Sequence, residues 1–227
     1  MQFSSNGKIN FDYIYNNKEL KSKLYLPSSD TFVFAEALED DVEAISPNVN
    51  MVLEMGTGSG YLILFLYELL LKKNKKIDLL YCIDINRDAC NCVQNAISLN
   101  GISNVEIINS NLFNNLRTCG QFDIILFNPP YVETEQDELN KTDIVASYAG
   151  GKQGREVILK FLHTVYDHLS NNGILYLLLE KSNIPHEIMT STLISEKFYY
   201  TELKKKKTLN ETIFIYKLRK KIQKEIL

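Results

Sequence analysis

Short apolar runs, each too brief for a helix and closed by turn residues, alternate along this chain with longer stretches of helical periodicity. Residues 51–55, 79–85, 105–108, 122–127 and 174–179 read as buried strands. Between them, residues 61–71, 87–99 and 157–169 read as helices, and 184–198 as a last one. Asn100-Gly101 marks the end of the second of these, and Asn171-Asn172-Gly173 the end of the third. Upstream, Pro27-Ser28-Ser29-Asp30-Thr31 is a helix start, with Phe32, Val33, Ala35, Ala37 and Leu38 forming an apolar face. Its free N–H groups make an anion or carboxylate site conceivable, against plain capping. Residues 199–203 and 211–218 read as a closing hairpin with Lys204, Lys205, Lys206 and Lys207 at its bend. Residues 1–24 are a loose or partly helical lead-in, 25–220 one domain, and 221–227 a tail.

Strands alternating with helices, then two strands in a hairpin, predict an α/β fold: a mostly parallel sheet with one antiparallel strand and helices on both faces. In such sheets ligands lie beyond the carboxyl ends of the strands. The chain has 227 residues and is 45% hydrophobic, enough for one core. A net charge of −3 provides no broad basic field for nucleic acid. The lysine run is a solvated turn that blunts edge pairing, with contact to an RNA-associated partner as the alternative.

Four cysteines without a C-x-x-C pair suggest neither a disulfide framework nor a zinc site. Cys90 and Cys92 would point apart on a helix. The N-terminus lacks the apolar core of a signal peptide. The 61–71 run is too short to span a membrane and carries Glu68. These features predict an intracellular protein, cytoplasmic or also nuclear, with no membrane contact.

The candidate chemistry gathers at the predicted strand tips. Glu54-Met55-Gly56-Thr57-Gly58-Ser59-Gly60 follows a strand and opens a helix. Glycines there permit a tight turn and close approach of a ligand to the backbone. Their spacing is not that of a diphosphate fingerprint. Glu54 suits a neighbouring ammonium group better than a phosphate. Asp84, at the next tip, is placed to hold two ribose hydroxyls, or else to cap the following helix. Asn111 can meet an adenine edge with Leu112 on its face, or belong to a plain loop. A nucleoside cofactor with a positive group, S-adenosyl-L-methionine, fits this set.

The strand at 122–127 runs into Asn128-Pro129-Pro130-Tyr131. The prolines make a rigid turn that gathers the Asn128 amide, backbone carbonyls and the Tyr131 ring. An amide oxygen and the Pro129 carbonyl can accept from a substrate –NH2, and Tyr131 can pack over its plane. Downstream, Ala149-Gly150-Gly151-Lys152-Gln153-Gly154-Arg155 reads as part of a substrate lid. His163 and His168 are spaced poorly for a shared metal, so no metal site is expected.

Pro-x-x-Asp-Thr-Phe at 27–32, Glu-x-Gly-x-Gly-x-Gly, Asp84, Asn-Pro-Pro-Tyr-Val and Ala-Gly-Gly-x-x-Gly-Arg together resemble the HemK-type class I S-adenosylmethionine-dependent methyltransferases. The last motif is similar to the eukaryotic and archaeal branch that methylates the glutamine of a Gly-Gly-Gln loop in class 1 translation release factors. The resemblance implies a Rossmann-like, seven-stranded sheet. It implies a cofactor site of Thr31, Glu54, Gly56, Gly58, Gly60, Asp84, Asn111 and Leu112, with Asn128 touching both cofactor and substrate. Catalysis would rest on Asn128, Pro129 and Tyr131. It also implies a small zinc-binding activator subunit as heterodimer partner, for which the 105–108 strand would be an open sheet edge. The family usually has acidic residues where Ser29 and Asn111 stand, which predicts weaker cofactor affinity. Asn-Pro-Pro-Tyr also resembles N6-adenine methyltransferases of DNA and RNA. Against that alternative stand the net charge and the lack of a target-recognition domain. A non-catalytic scaffold is the other alternative, opposed by the intact Gly56, Gly58, Gly60, Asp84 and Asn128.

Overall fold

The computed structural model describes residues 8–15, 20–118, 120–208 and 211–221. The predicted tail, apart from Lys221, lies outside the described residues.

Two short helices, α1 (Asp12–Tyr15) and α2 (Leu20–Lys23), lead in. The described part of this lead-in is partly helical, one of the two forms expected, and it is packed down. Ile14 and Leu24 are buried, Ile9 N–H donates to Glu68 at 3.0 Å, and the Tyr13 hydroxyl donates to the Ser59 carbonyl at 2.8 Å. Then come α3 (Ser29–Asp41), β1 (Asn48–Met55), α4 (Tyr61–Lys72), β2 (Lys76–Asp84), α5 (Arg87–Asn100), β3 (Val105–Asn109) and β4 (Phe122–Phe127). After a long loop follow α6 (Glu156–His168), β5 (Leu169–Glu180), α7 (Pro185–Thr190), α8 (Thr192–Ser195), β6 (Phe198–Lys207) and β7 (Thr212–Lys220).

The sheet order is β3-β2-β1-β4-β5-β7-β6. Only β7 runs against its neighbours, pairing antiparallel with β5 and β6. Alternate residues of the central strands fill two separate cores. Val52, Ile124 and Leu126 face α3 and α4, whereas Leu53, Ile125 and Phe127 face α6. β4, buried on both faces, is all but continuous in apolar residues, as a central parallel strand must be. The order reverses between β1 and β4, which opens a crevice beyond their tips.

Three expectations need correction. The 184–198 helix is broken into α7 and α8 at Ser191, which is extended and whose hydroxyl donates to the Ile188 carbonyl. Asn171, Asn172 and Gly173 do not stop α6 but run within β5, where a Cβ at Gly173 would crowd Leu169 and the Phe122 carbonyl at 2.9 Å. The lysine run is not a bend but the end of β6. Lys204 and Lys206 reach Asp40 and Glu36 of α3 at 2.6 and 2.8 Å, while Lys205 lies over the Phe214 ring. His168 is a buried core residue stacked 4.0 Å from Phe113, with burial lowering its pKa, whereas His163 is exposed.

Candidate active site

A cavity of about 310 Å³ opens beyond the tips of β1, β2, β3 and β4. It is lined by Thr31, Glu54, Gly56, Gly58, Asp84, Asn111, Leu112, Asn128, Pro129 and Tyr131, all expected from the sequence. Gly60 is the exception. It caps α4 with φ +77, and a Cβ there would press on Val93 at 3.0 Å, so it serves helix packing rather than the cavity wall.

Backbone and carboxylates shape one half of the cavity. Gly56 and Gly58 hold left-handed conformations, φ +65 and +51. Asp84 braces that turn: its Oδ2 accepts from Gly58 N–H and its Oδ1 from Asn86 N–H, both at 2.8 Å. Each oxygen keeps a lone pair for a further donor. Burial pushes the Asp84 carboxyl pKa up, opposed by these backbone N–H groups. Glu54 is buried with neutral donors as its partners, the Thr57 hydroxyl at 2.9 Å and Ile63 N–H at 3.3 Å. Desolvation raises its pKa to about 8. Leu112 lines the wall from a left-handed backbone, φ 48, a strained conformation for a branched residue. This donor and acceptor set suits a nucleoside: an acidic strand tip for hydroxyls, apolar and amide groups for a base, and a buried carboxyl able to neutralise an ammonium group.

The other half is organised by Asp30, noted in the sequence as part of a helix start and of the Pro-x-x-Asp-Thr-Phe motif but given no role of its own. It is 1% exposed. Its Oδ1 accepts from Thr31 N–H at 2.7 Å, Ser28 Oγ at 2.8 Å and the Tyr25 hydroxyl at 2.8 Å. The anion site imagined at the start of α3 is therefore filled by the chain's own Asp30. Its Oδ2 accepts from Asn128 Nδ2 at 3.0 Å and the Tyr131 hydroxyl at 3.4 Å. Glu211, from the turn before β7, also accepts from the Tyr131 hydroxyl at 3.3 Å and lines the cavity. Burial and then the Asp30 charge push the Tyr131 pKa well above the usual phenol range, so its hydroxyl keeps its proton. Asn128 Oδ1 is left buried without a partner.

Beneath the Asn-Pro-Pro-Tyr turn lies a buttress rather than the lid expected for Ala149 to Arg155. A Cβ on Gly150 would sit 2.7 Å from the Pro130 carbonyl, and one on Gly154 only 1.8 Å from that of Tyr131. Asn183, fully buried and unmarked by any sequence signal, donates through Nδ2 to the carbonyls of Tyr131, Gln153 and Gly154 at 3.0, 3.1 and 3.2 Å. Gln153 and Ile184, flanking this contact, take positive φ of 55 and 51. Strain is held here by surrounding packing.

The doubly wound sheet, the glycine turn with its two acidic strand tips and the Asn-Pro-Pro-Tyr corner define a class I, Rossmann-like methyltransferase. The model of the methyltransferase small domain matches residues 30–209, and the chain belongs to that family, among its HemK-type members. The human methyltransferase HEMK2 is 35% identical over 170 residues, 74% of this chain and 77% of the relative. The Schizosaccharomyces pombe eRF1 methyltransferase catalytic subunit mtq2 is 30% identical over 211 residues, 86% and 88% of the two chains. Among solved structures, the E. cuniculi Mtq2–Trm112 complex, responsible for methylation of the eRF1 termination factor, aligns with a TM-score of 0.63 at 26% identity. That alignment covers 87% of this chain and 99% of its counterpart. A ribosomal protein L11 methylase of Lactobacillus delbrueckii, at 15% identity and TM-score 0.58 over 85% and 80% of the chains, shares the fold alone.

Proposed function

We propose that this protein methylates the side-chain amide nitrogen of the glutamine in the Gly-Gly-Gln loop of a class 1 translation release factor, using S-adenosyl-L-methionine. The observation that carries this reading is the buried, unpartnered Oδ1 of Asn128, a residue that lines the cavity beyond the strand tips. The names of the relatives support the same substrate class.

The bound cofactor supplies a methyl group on a sulfonium centre, open to in-line attack. Asp84 would hold ribose hydroxyls, Asn111 and Leu112 would meet the base, and Glu54 would stand beside the ammonium group. Gly56 and Gly58 let the ligand approach the backbone. An amide nitrogen is a poor nucleophile, because its lone pair is delocalised into the carbonyl. Asn128 Oδ1 and the Pro129 carbonyl accept its two hydrogens and aim it, while Tyr131 packs on its plane. Orientation of this kind lowers barriers by up to about 7–11 kcal/mol in favourable cases. With its proton retained, Tyr131 acts as a fixed donor to carboxylates and not as a base.

β3 is a sheet edge, and the Mtq2–Trm112 complex supports a small partner subunit for this chain. We place that subunit, with the zinc it would carry, along β3. The test is methyl transfer from labelled cofactor to a release factor, with and without the small subunit, read by mass spectrometry at the glutamine. Label on an adenine oligonucleotide instead would replace this reading with the nucleic-acid one.

A further inference from the structure

We propose, resting on the function above, that Asp30 is the positioning residue that sets the hydrogen-bonding polarity of the substrate site, and so selects an –NH2 group over a carboxylate of the same shape.

A carboxylate accepts and cannot donate. With Asp30 Oδ2 3.0 Å away, Asn128 points its Nδ2 at Asp30 and leaves its Oδ1, buried and without a partner, as the other end of the amide. The single Tyr131 hydroxyl proton is likewise consumed, by Asp30 at 3.4 Å or by Glu211 at 3.3 Å. One Asn128 N–H and the Tyr131 hydroxyl proton are thus directed at carboxylates, and the unpaired atom that Asn128 has left for an incoming group is the acceptor Oδ1. Glutamine answers with two N–H donors. Glutamate would set oxygen lone pairs against the lone pairs of Asn128 Oδ1, leaving both sides without a partner. Sites built on such pairing reject the mismatched analogue by large factors, up to about 10⁴–10⁵ in the best cases.

The other side of Asp30 makes the test sharp. Oδ1 faces Thr31 N–H at 2.7 Å, a backbone donor that cannot rotate away. In an Asp30→Asn variant the new amide must keep its oxygen there and direct its NH2 at Asn128. Asn128 then turns over, showing oxygen to residue 30 and NH2 to the substrate. The polarity of the corner reverses with no change in its shape.

The experiment uses the full chain with its small partner subunit and two peptides, one with Gly-Gly-Gln and one with Gly-Gly-Glu as a competitor. In the Asp30→Asn variant, kcat/KM for the glutamine peptide is expected to fall at least about 10²-fold, the scale of losing a fixed substrate orientation. The inhibition constant of the glutamate peptide, relative to the glutamine peptide, is expected to shift at least about tenfold in favour of glutamate, one well-made hydrogen bond. A loss of fold alone would weaken both peptides together. A folded variant with the wild-type glutamine-to-glutamate ratio overturns the proposal.

Should the variant not fold, the wild type decides. A glutamate peptide at least about 10²-fold weaker than the glutamine peptide upholds the polarity, and equal competition overturns it. Wild-type protein that transfers no methyl to glutamine defeats the function proposed above and this proposal with it. Transfer with unchanged selectivity defeats the role of Asp30 alone.

Discussion

Replacing Gly154 with alanine tests the claim that the catalytic corner is held from beneath. Gly154 has φ +62, and an added Cβ would lie 1.8 Å from the Tyr131 carbonyl oxygen, 2.5 Å from its carbon and 2.7 Å from Asn183 Nδ2. Backbone meets backbone here, so no flexible side chain can swing aside. The two segments must part by more than an ångström before ordinary contact is restored. The left-handed conformation costs an L-residue roughly 1–2 kcal/mol. Loss of the Asn183–Tyr131 hydrogen bond adds about 1 kcal/mol. For a domain of this size the sum corresponds to a Tm lower by roughly 4–12 °C. Turnover should suffer far more, because Tyr131 and Asn128 move together and a misplacement of about 1 Å costs about 10²-fold. Cofactor affinity should change little, since the glycine turn and Asp84 belong to the opposite half of the cavity. Single-turnover methyl transfer, calorimetric cofactor titration and thermal melting separate these effects. A folded variant with near-wild-type turnover would refute the buttress. Equal loss of cofactor affinity and turnover would refute the division of the cavity into halves.

Asn183→Ala frees three carbonyls at once, the Gly154 contact buried and the other two part-buried, and a buried one costs about 1–3 kcal/mol when unpaired; melting should show a clear loss of stability, and an unchanged Tm would count against it. The pKa of Glu54 in the folded protein, about 8, lies above its ordinary 4.5, so the native state holds a proton the unfolded chain has released. Stability of the ligand-free protein should therefore fall as pH rises between these values, and Glu54→Gln should flatten most of that slope in melts across the range. Asn111→Asp, restoring the acidic residue usual in the family, should tighten cofactor binding by up to about tenfold, one charge-assisted hydrogen bond, with turnover at saturation unchanged; titration showing weaker binding would remove Asn111 from the base edge.

The sheet was legible because its central strands are buried on both faces and must be apolar throughout, as in Phe122–Phe127. The acidic side of the cavity was legible too, because Glu54 and Asp84 sit at the tips of β1 and β2. Asp30 was harder. A Ser-Ser-Asp-Thr run before an apolar face satisfies every rule for a helix cap. Its decisive partners, Asn128 and Tyr131, lie 98 and 101 residues away. Asn183 and Glu211 are invisible for the same reason. The lysine run misled because four adjacent charges carry no periodicity, while the carboxylates that balance Lys204 and Lys206 lie on α3, more than a hundred residues earlier. Glycines at 150, 151 and 154 were noticed, but glycine signals both mobility and close packing, and only the short distances tell them apart.

The 52-residue separation of Tyr131 and Asn183 imposes an order on synthesis. A ribosome making this chain completes the glycine turn, Asp84 and Asn128 well before Asn183 emerges. β7, which carries the segment bearing Glu211 into line, pairs between β5 and β6 and comes later still. A growing chain can thus bring together Glu54, the glycine turn and Asp84 early, yet its Asn-Pro-Pro-Tyr corner is neither braced nor complete until β7 has joined the sheet.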